Sequence, residues 1–278
     1  MGQANRAKRI VSLALTLAGL MTLSTSKSGH AIDLGLSLAP GALPNYVGLG
    51  AGFANDYVGS DDLAPGGLPL ARLSWENRYV SLEGNYLAVN LVNHPVLRFG
   101  PAGLYRFGRD DVDDNVVDRL PSISDTVELG AFAGVEFVDD EDPRKRLRFD
   151  VDFLHDVADE HGGFVVSASA RIWHPLTSST EAGLALGTTY GSKDYMSTFF
   201  GIGSGGAARS GLSTYDADAG LRDARATLVV IQSLSENWHI GAGLLYARLL
   251  TEAADSPVVD DRGSANQIVG GVGFAYSW

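Results

Sequence analysis

The chain of 278 residues contains no cysteine, which excludes disulfide staples and thiolate chemistry. Beyond its N-terminal leader it has no run of about eighteen apolar residues, so no helix spanning an inner membrane is predicted. Positive charge is scarce: 21 Lys and Arg stand against 33 Asp and Glu, a net charge of −12. Nucleic-acid binders carry basic patches, so nucleic acid is not expected as a partner. Catalytic signatures are missing too. The glycine-rich stretch 201–206 lacks the Lys-Ser/Thr of a phosphate loop. No G-x-S-x-G elbow or H-E-x-x-H pair occurs, and helical periodicity is hard to find.

What is present begins with that leader. Arg6, Lys8 and Arg9 precede an apolar run from Ile10 to Leu23, and Gly29-His30-Ala31 offers a small-x-small cleavage site. This layout predicts a secretory signal peptide over residues 1–31 and one exported domain over 32–278. The leader holds four of the basic residues and no acidic one, leaving 17 against 33. Glycine is abundant, with 34 residues where the usual share is about 7%. Glycines recur inside strand-like runs, as at Gly48, Gly50 and Gly52. They would weaken a soluble sheet, whereas on one face of a barrel they save room.

Alternation of apolar and polar residues dominates the exported part. The windows 46–57, 69–75, 79–90, 96–107, 126–138, 147–155, 163–174, 179–190, 222–232, 238–250 and 267–278 all read as strands. Most match the nine to eleven residues that cross a bilayer at a tilt. In 147–154, Leu147, Phe149, Val151 and Phe153 oppose Arg148, Asp150 and Asp152. Charge confined to one face of a long strand fits a polar lumen inside a lipid-facing wall. The last window puts Ile268, Val272, Phe274, Tyr276 and Trp278 on one face and ends the chain.

Long segments at 108–125, 156–162, 191–221 and 251–266 alternate with short ones at 91–95, 139–146, 175–178 and 233–237. The long set should face outward and the short set the periplasm. The fold expected is therefore all-β: a closed antiparallel transmembrane barrel of about twelve strands, with ten as the alternative. Eleven windows break the even count, and 32–38 is the best candidate for the missing strand.

Along the outward segments, Tyr57-Val-Gly59-Ser60 followed by Pro69, Tyr105-Arg-Phe-Gly108-Arg109-Asp110, and Phe200-Gly201-Ile202 leading to Ala208-Arg209-Ser210-Gly211-Leu212 occur in order. Tyr246-Ala-Arg-Leu249 and Ala254-Asp255-Ser256-Pro257-Val258-Val259 follow. The ordered set resembles the MipA/OmpV family of MltA-interacting outer-membrane proteins. That resemblance implies a non-enzymatic barrel in the outer membrane of a Gram-negative bacterium, without a cofactor. It implies contact with outer-membrane lipid and lipopolysaccharide, and with the barrel-assembly machinery during insertion. It also implies a scaffold between a lytic transglycosylase and a peptidoglycan synthase. Gly59, Ser60, Gly108, Arg109, Asp110, Ser210, Gly211, Leu212, Asp255, Ser256 and Pro257 are then structural or interaction residues of the loops. Phe274, Tyr276 and Trp278 would be the insertion signal, with Trp278 replacing the commoner terminal Phe. A small channel or porin is the alternative, and a lipid-modifying hydrolase using His155 or His161 a third reading.

Other residues carry blander readings. His155-Asp156 with Asp159-Glu160-His161, and the acidic stretch 110–115, hold metal-ligand types but lack an established ligand spacing. Arg109, Arg209 and Arg248 are expected to pair with loop carboxylates such as Asp255. Trp75, Trp173, Trp238 and Tyr79 lie at strand ends, as an interfacial girdle requires.

Overall fold

A computed structural model describes residues 43–278. Twelve antiparallel strands close into a barrel in simple sequential order. They are β1 (Tyr46–Asn55), β2 (Leu63–Trp75), β3 (Arg78–Glu83), β4 (Tyr86–Asn90), β5 (Leu97–Arg106) and β6 (Thr126–Val138). Then come β7 (Arg146–Asp156), β8 (Phe164–Pro175), β9 (Thr180–Gly191), β10 (Gly220–Ser233), β11 (Trp238–Leu249) and β12 (Asn266–Ser277). β12 closes the wall on β1, with Tyr46 opposite Ser277 and Phe53 opposite Gly270.

Window 32–38 lies outside the described residues, as does the expected signal peptide, and the described residues themselves supply a twelfth strand. It comes from window 79–90, which folds as two strands around a Gly84-Asn85 turn. Gly84 has φ +61°, in the left-handed region that a tight hairpin requires and glycine adopts at little cost. The hairpin is short, so the Leu63–Leu68 part of β2 pairs with β1 alone among the described residues. The Gly84 amide donates to the Pro69 carbonyl, which fixes odd-numbered residues of β2 as those aimed at the gap. Pro65 and Pro69 both lack the N–H that such an edge would leave unpaired.

Facing residues share a side in antiparallel pairs, so the register sorts every strand. Leu49 is 68% exposed whereas Tyr46, three residues before it, is 1% exposed. The outward row of β12 is apolar, and Phe274, Tyr276 and Trp278 all project from it. Tyr276 meets Trp238 edge-on at 5.1 Å, and Trp75 is likewise exposed. Trp173 and Tyr79 correct the girdle reading, because both are buried in the lumen. Trp173 lies over Gly183 of β9, where any Cβ would overlap its indole ring. Tyr79 lies under the Arg72 guanidinium, 4.0 Å from its ring centre.

Glycine placement gives a stability prediction. A Cβ at Gly130 would overlap the Phe153 carbonyl oxygen, whereas Gly67 faces open space. Gly130→Ala is expected to lower the barrel's unfolding midpoint clearly and Gly67→Ala to leave it within about 0.5 kcal/mol of wild type. Heat-modifiable mobility on gels, with urea titration, reads both.

Candidate functional site

The long segments turn the outward end of the barrel into a packed cap. α1 (Lys193–Phe200) starts where Ser192 Oγ accepts the Tyr195 amide at its N-cap. Its buried residues are Tyr195, Met196, Phe199 and Phe200, an apolar stripe at helical spacing. They pack against lumen-facing Leu104, Phe132, Leu154 and Val165. The Tyr195 hydroxyl accepts from Arg222 Nη1 of β10 at 2.6 Å and Arg106 Nη1 of β5 at 3.4 Å. These strands are five places apart among twelve, so the contact spans the lumen.

Beneath α1 lies a buried polar cluster. Arg106 forks onto Glu128, with Nη2 at 2.8 Å from Oε2, and Glu128 is 0% exposed. His161 Nε2 is 2.9 Å from Glu128 Oε1, while Nδ1 receives the Gly163 amide at 3.1 Å. Nδ1 is thus the acceptor, so Nε2 carries the proton and donates to Glu128. His155 points outward and is exposed, so the two histidines do not converge as a metal or catalytic pair.

Two further loops clamp the helix. Arg109 Nη1 donates to the Phe199 carbonyl at 3.0 Å, and Ser256 Oγ donates to the Phe200 carbonyl at 2.6 Å. Arg262 donates from Nη2 to Asp114 at 2.6 Å. The Val116 and Val117 amides also reach Asp114, and together these donors hold its carboxyl below the usual range. A second apolar cluster, built on Tyr57, Val112, Val117, Leu120, Ile202 and Val258, fills the cap above.

The motif residues of the loops mostly build this cap. Gly59 has φ +103°, and its amide donates to Gln267 Oε1 at 3.0 Å; Ser60 is buried beside it. A Cβ at Gly108 would overlap the Ile123 carbonyl. α2 (Ser204–Ser210) ends at Gly211 with φ +82°, Ser210 Oγ donates back to Gly206, and Leu212 packs in the second cluster. α3 (Thr251–Ala254) ends at exposed Asp255. α4 (Pro257–Asp260) opens at Pro257 behind the Ser256 cap. Asp110 is exposed. The expected pairing of arginines with Asp255 does not form. Arg109, Arg209 and Arg248 instead donate to the Phe199 carbonyl, the Arg119 carbonyl and Asn266 Oδ1. Tyr195, Phe199 and Glu128 are the residues that sequence reading passes over. Ser192 followed by a helical apolar stripe was the available signal.

Further down, the lumen is split. One wall carries triads in which two arginines share one carboxylate. Two of these are Arg98 and Arg146 on Glu136 and Arg148 and Arg171 on Asp150, and a third, Arg222 and Arg225 on Asp223, stands higher, at the level of α1. The facing wall of β11, β12 and β1 presents Gly241, Gly243, Gly271, Gly273, Gly48, Gly50 and Gly52. No helix among the described residues is long and apolar enough to cross a membrane.

The family model described as MltA-interacting protein MipA matches residues 47–278. No curated protein matches. Among solved structures, the NanC porin is 8% identical with a TM-score of 0.50, over 84% of this chain and 100% of its own. An outer membrane channel from Pseudomonas putida F1 is 11% identical with a TM-score of 0.46, over 85% of this chain and 96% of its own. At such identities the likeness concerns fold alone, and that fold is the outer-membrane β-barrel.

Proposed function

The chain belongs to the MltA-interacting protein MipA family, and we propose that it is a non-enzymatic outer-membrane scaffold that docks peptidoglycan-remodelling enzymes. The family's name supplies one partner, MltA, a lytic transglycosylase by the family resemblance, and a peptidoglycan synthase is the second. Insertion would be guided by the assembly machinery reading Phe274, Tyr276 and Trp278. With the outer end capped, the periplasmic end is left for docking.

The observation that carries this reading is the state of the periplasmic turns. Arg144 donates to Asp142 Oδ2 at 2.8 Å and to the carbonyls of Thr177 and Ser178 at 2.9 and 3.0 Å. The β6–β7 turn is thereby fastened to the β8–β9 turn. Asn93 Nδ2 donates to Glu76 Oε2 at 2.7 Å, Arg78 Nη1 to the same oxygen at 2.8 Å, and Asn77 Nδ2 to Asn93 Oδ1 at 2.9 Å. This ties the β2–β3 turn to the β4–β5 turn. Turns already ordered in the free protein have less entropy to lose on association, which is the property of a docking surface.

The Arg144 bonds hold the Asp142 carboxyl down at about 2. A depressed carboxylate contributes above its unfolded value and fails only as pH falls through the folded one. The patch should therefore be unchanged between pH 5 and 8. Detergent-solubilised protein used as bait in periplasmic extract is expected to recover a murein enzyme at both pH values. Arg144→Ala is expected to recover several-fold less while keeping the wild-type mobility shift on heating. Recovery of no murein enzyme by either protein would sink the scaffold.

A further inference from the structure

The cap holds an outward cleft of about 780 Å³ whose lining includes Arg109, Ser122, Thr198, Ser204 and Thr214, with Glu160 and Asp216 also on its walls. Arg109 is 6% exposed, so its charge is almost wholly removed from water. Five other arginines are buried to a similar degree: Arg98, Arg106, Arg171, Arg222 and Arg225. Each of those meets a carboxylate. Arg109 forms no ion pair among the described residues. Only the Phe199 carbonyl accepts from its guanidinium, and its buried Nε has no acceptor.

A guanidinium has five N–H donors, and a buried cation without a counter-charge is costly. Burial, with no carboxylate paired to it, pulls Arg109 down to about 10, still charged at neutral pH. The two carboxylates of the cleft are otherwise engaged. Glu160 Oε1 accepts the Ser124 amide at 2.8 Å, and exposed Asp216 faces Lys193 at 3.7 Å.

We propose that this cleft binds an oxyanion-bearing ligand, carboxylate or phosphate, whose charge is met by Arg109 and whose polar body is met by the cleft hydroxyls. Planar guanidinium donors match both oxyanions with paired hydrogen bonds, which a lysine would not. Ser122, Thr198, Ser204 and Thr214 suit a hydroxylated body such as a sugar. The cleft opens at the outer end of the barrel, so the ligand comes either free from outside or as a phosphate of the surrounding lipopolysaccharide. This site is separate from the periplasmic turns and stands or falls independently of docking there.

Calorimetric titration of the full barrel in detergent tests it, using glucuronate, glucose 6-phosphate, glucose and bisphosphorylated lipid A as probes. At least one acidic probe is expected to bind tenfold or more tightly than glucose. Arg109→Gln should lose that preference tenfold or more, and Thr198→Trp, which fills the cleft without removing the charge, should weaken binding similarly. Asp110→Asn, an exposed neighbour, should bind as wild type does. Binding of the acidic sugars points to a free solute, and binding of lipid A alone to lipopolysaccharide; both support the site. Equal weak binding of all probes, or acidic binding unchanged in Thr198→Trp, would overturn it, even if Arg109→Gln failed to fold.

Discussion

Glu128→Ala is expected to destabilise the barrel by about 3–5 kcal/mol, the loss typical when one partner of a buried ion pair is removed. Glu128 is fully buried and answers both Arg106 and His161. Its removal leaves a buried guanidinium without its carboxylate and a histidine N–H without an acceptor. The guanidinium also lies 5.0 Å from the Tyr195 ring centre, so the disturbance reaches α1. Glu128→Gln, which keeps one acceptor but loses the charge, should fall between. Asp110→Ala, on an exposed loop position, should stay within about 0.5 kcal/mol. Urea titration read by heat-modifiable mobility and tryptophan fluorescence checks the order. Equal midpoints for Glu128→Ala and wild type would refute the cluster as a keystone of the cap.

Replacing residues 193–218 with a short Gly/Ser linker is expected to turn a sealed barrel into a permeable one. The replaced segment contains all of α1 and α2, and with it the contacts of Tyr195, Phe199 and Phe200. β9 and β10 pair along nearly their full lengths without it, so the wall should survive. What opens is an upper lumen once plugged by aromatic side chains. Lower down, the Glu136 and Asp150 arginine triads stand on one wall and glycines on the other, leaving a passage narrower than that of sixteen-stranded porins. Liposomes carrying the variant should swell in small sugars, whereas those carrying wild type should not. Swelling at the wild-type rate would mean that α1 is not the seal.

The sequence made the wall legible because a lipid-facing barrel imposes a period of two over long strands. Each of the eleven windows contains strand, and charge in the middle of the strands stayed on the lumen side, as Asp150 and Arg171 do. The count of about twelve agrees with the barrel, and what the eleven windows missed was a local signal. The Glu83-Gly84-Asn85-Tyr86 turn is a two-residue hairpin hidden inside one alternating run. Trp173 and Tyr79 were misassigned because strand-end aromatics suit a membrane interface equally well. Only the register shows that Trp173 needs the space left by Gly183. The cap was legible as an ordered set of loop motifs but not as a plug. Its contacts join residues as distant in sequence as Arg106 and Tyr195, and Gly59 and Gln267. Long-range pairing of that kind leaves no periodicity to read.

Single-channel recording of the wild-type protein in a planar bilayer tests most directly the central claim, that the packed cap closes the lumen. Protein inserted with its heat-modifiable fold intact is expected to give a silent trace at all holding potentials. Steady, ohmic steps from that same protein would contradict the account and identify the barrel as a channel.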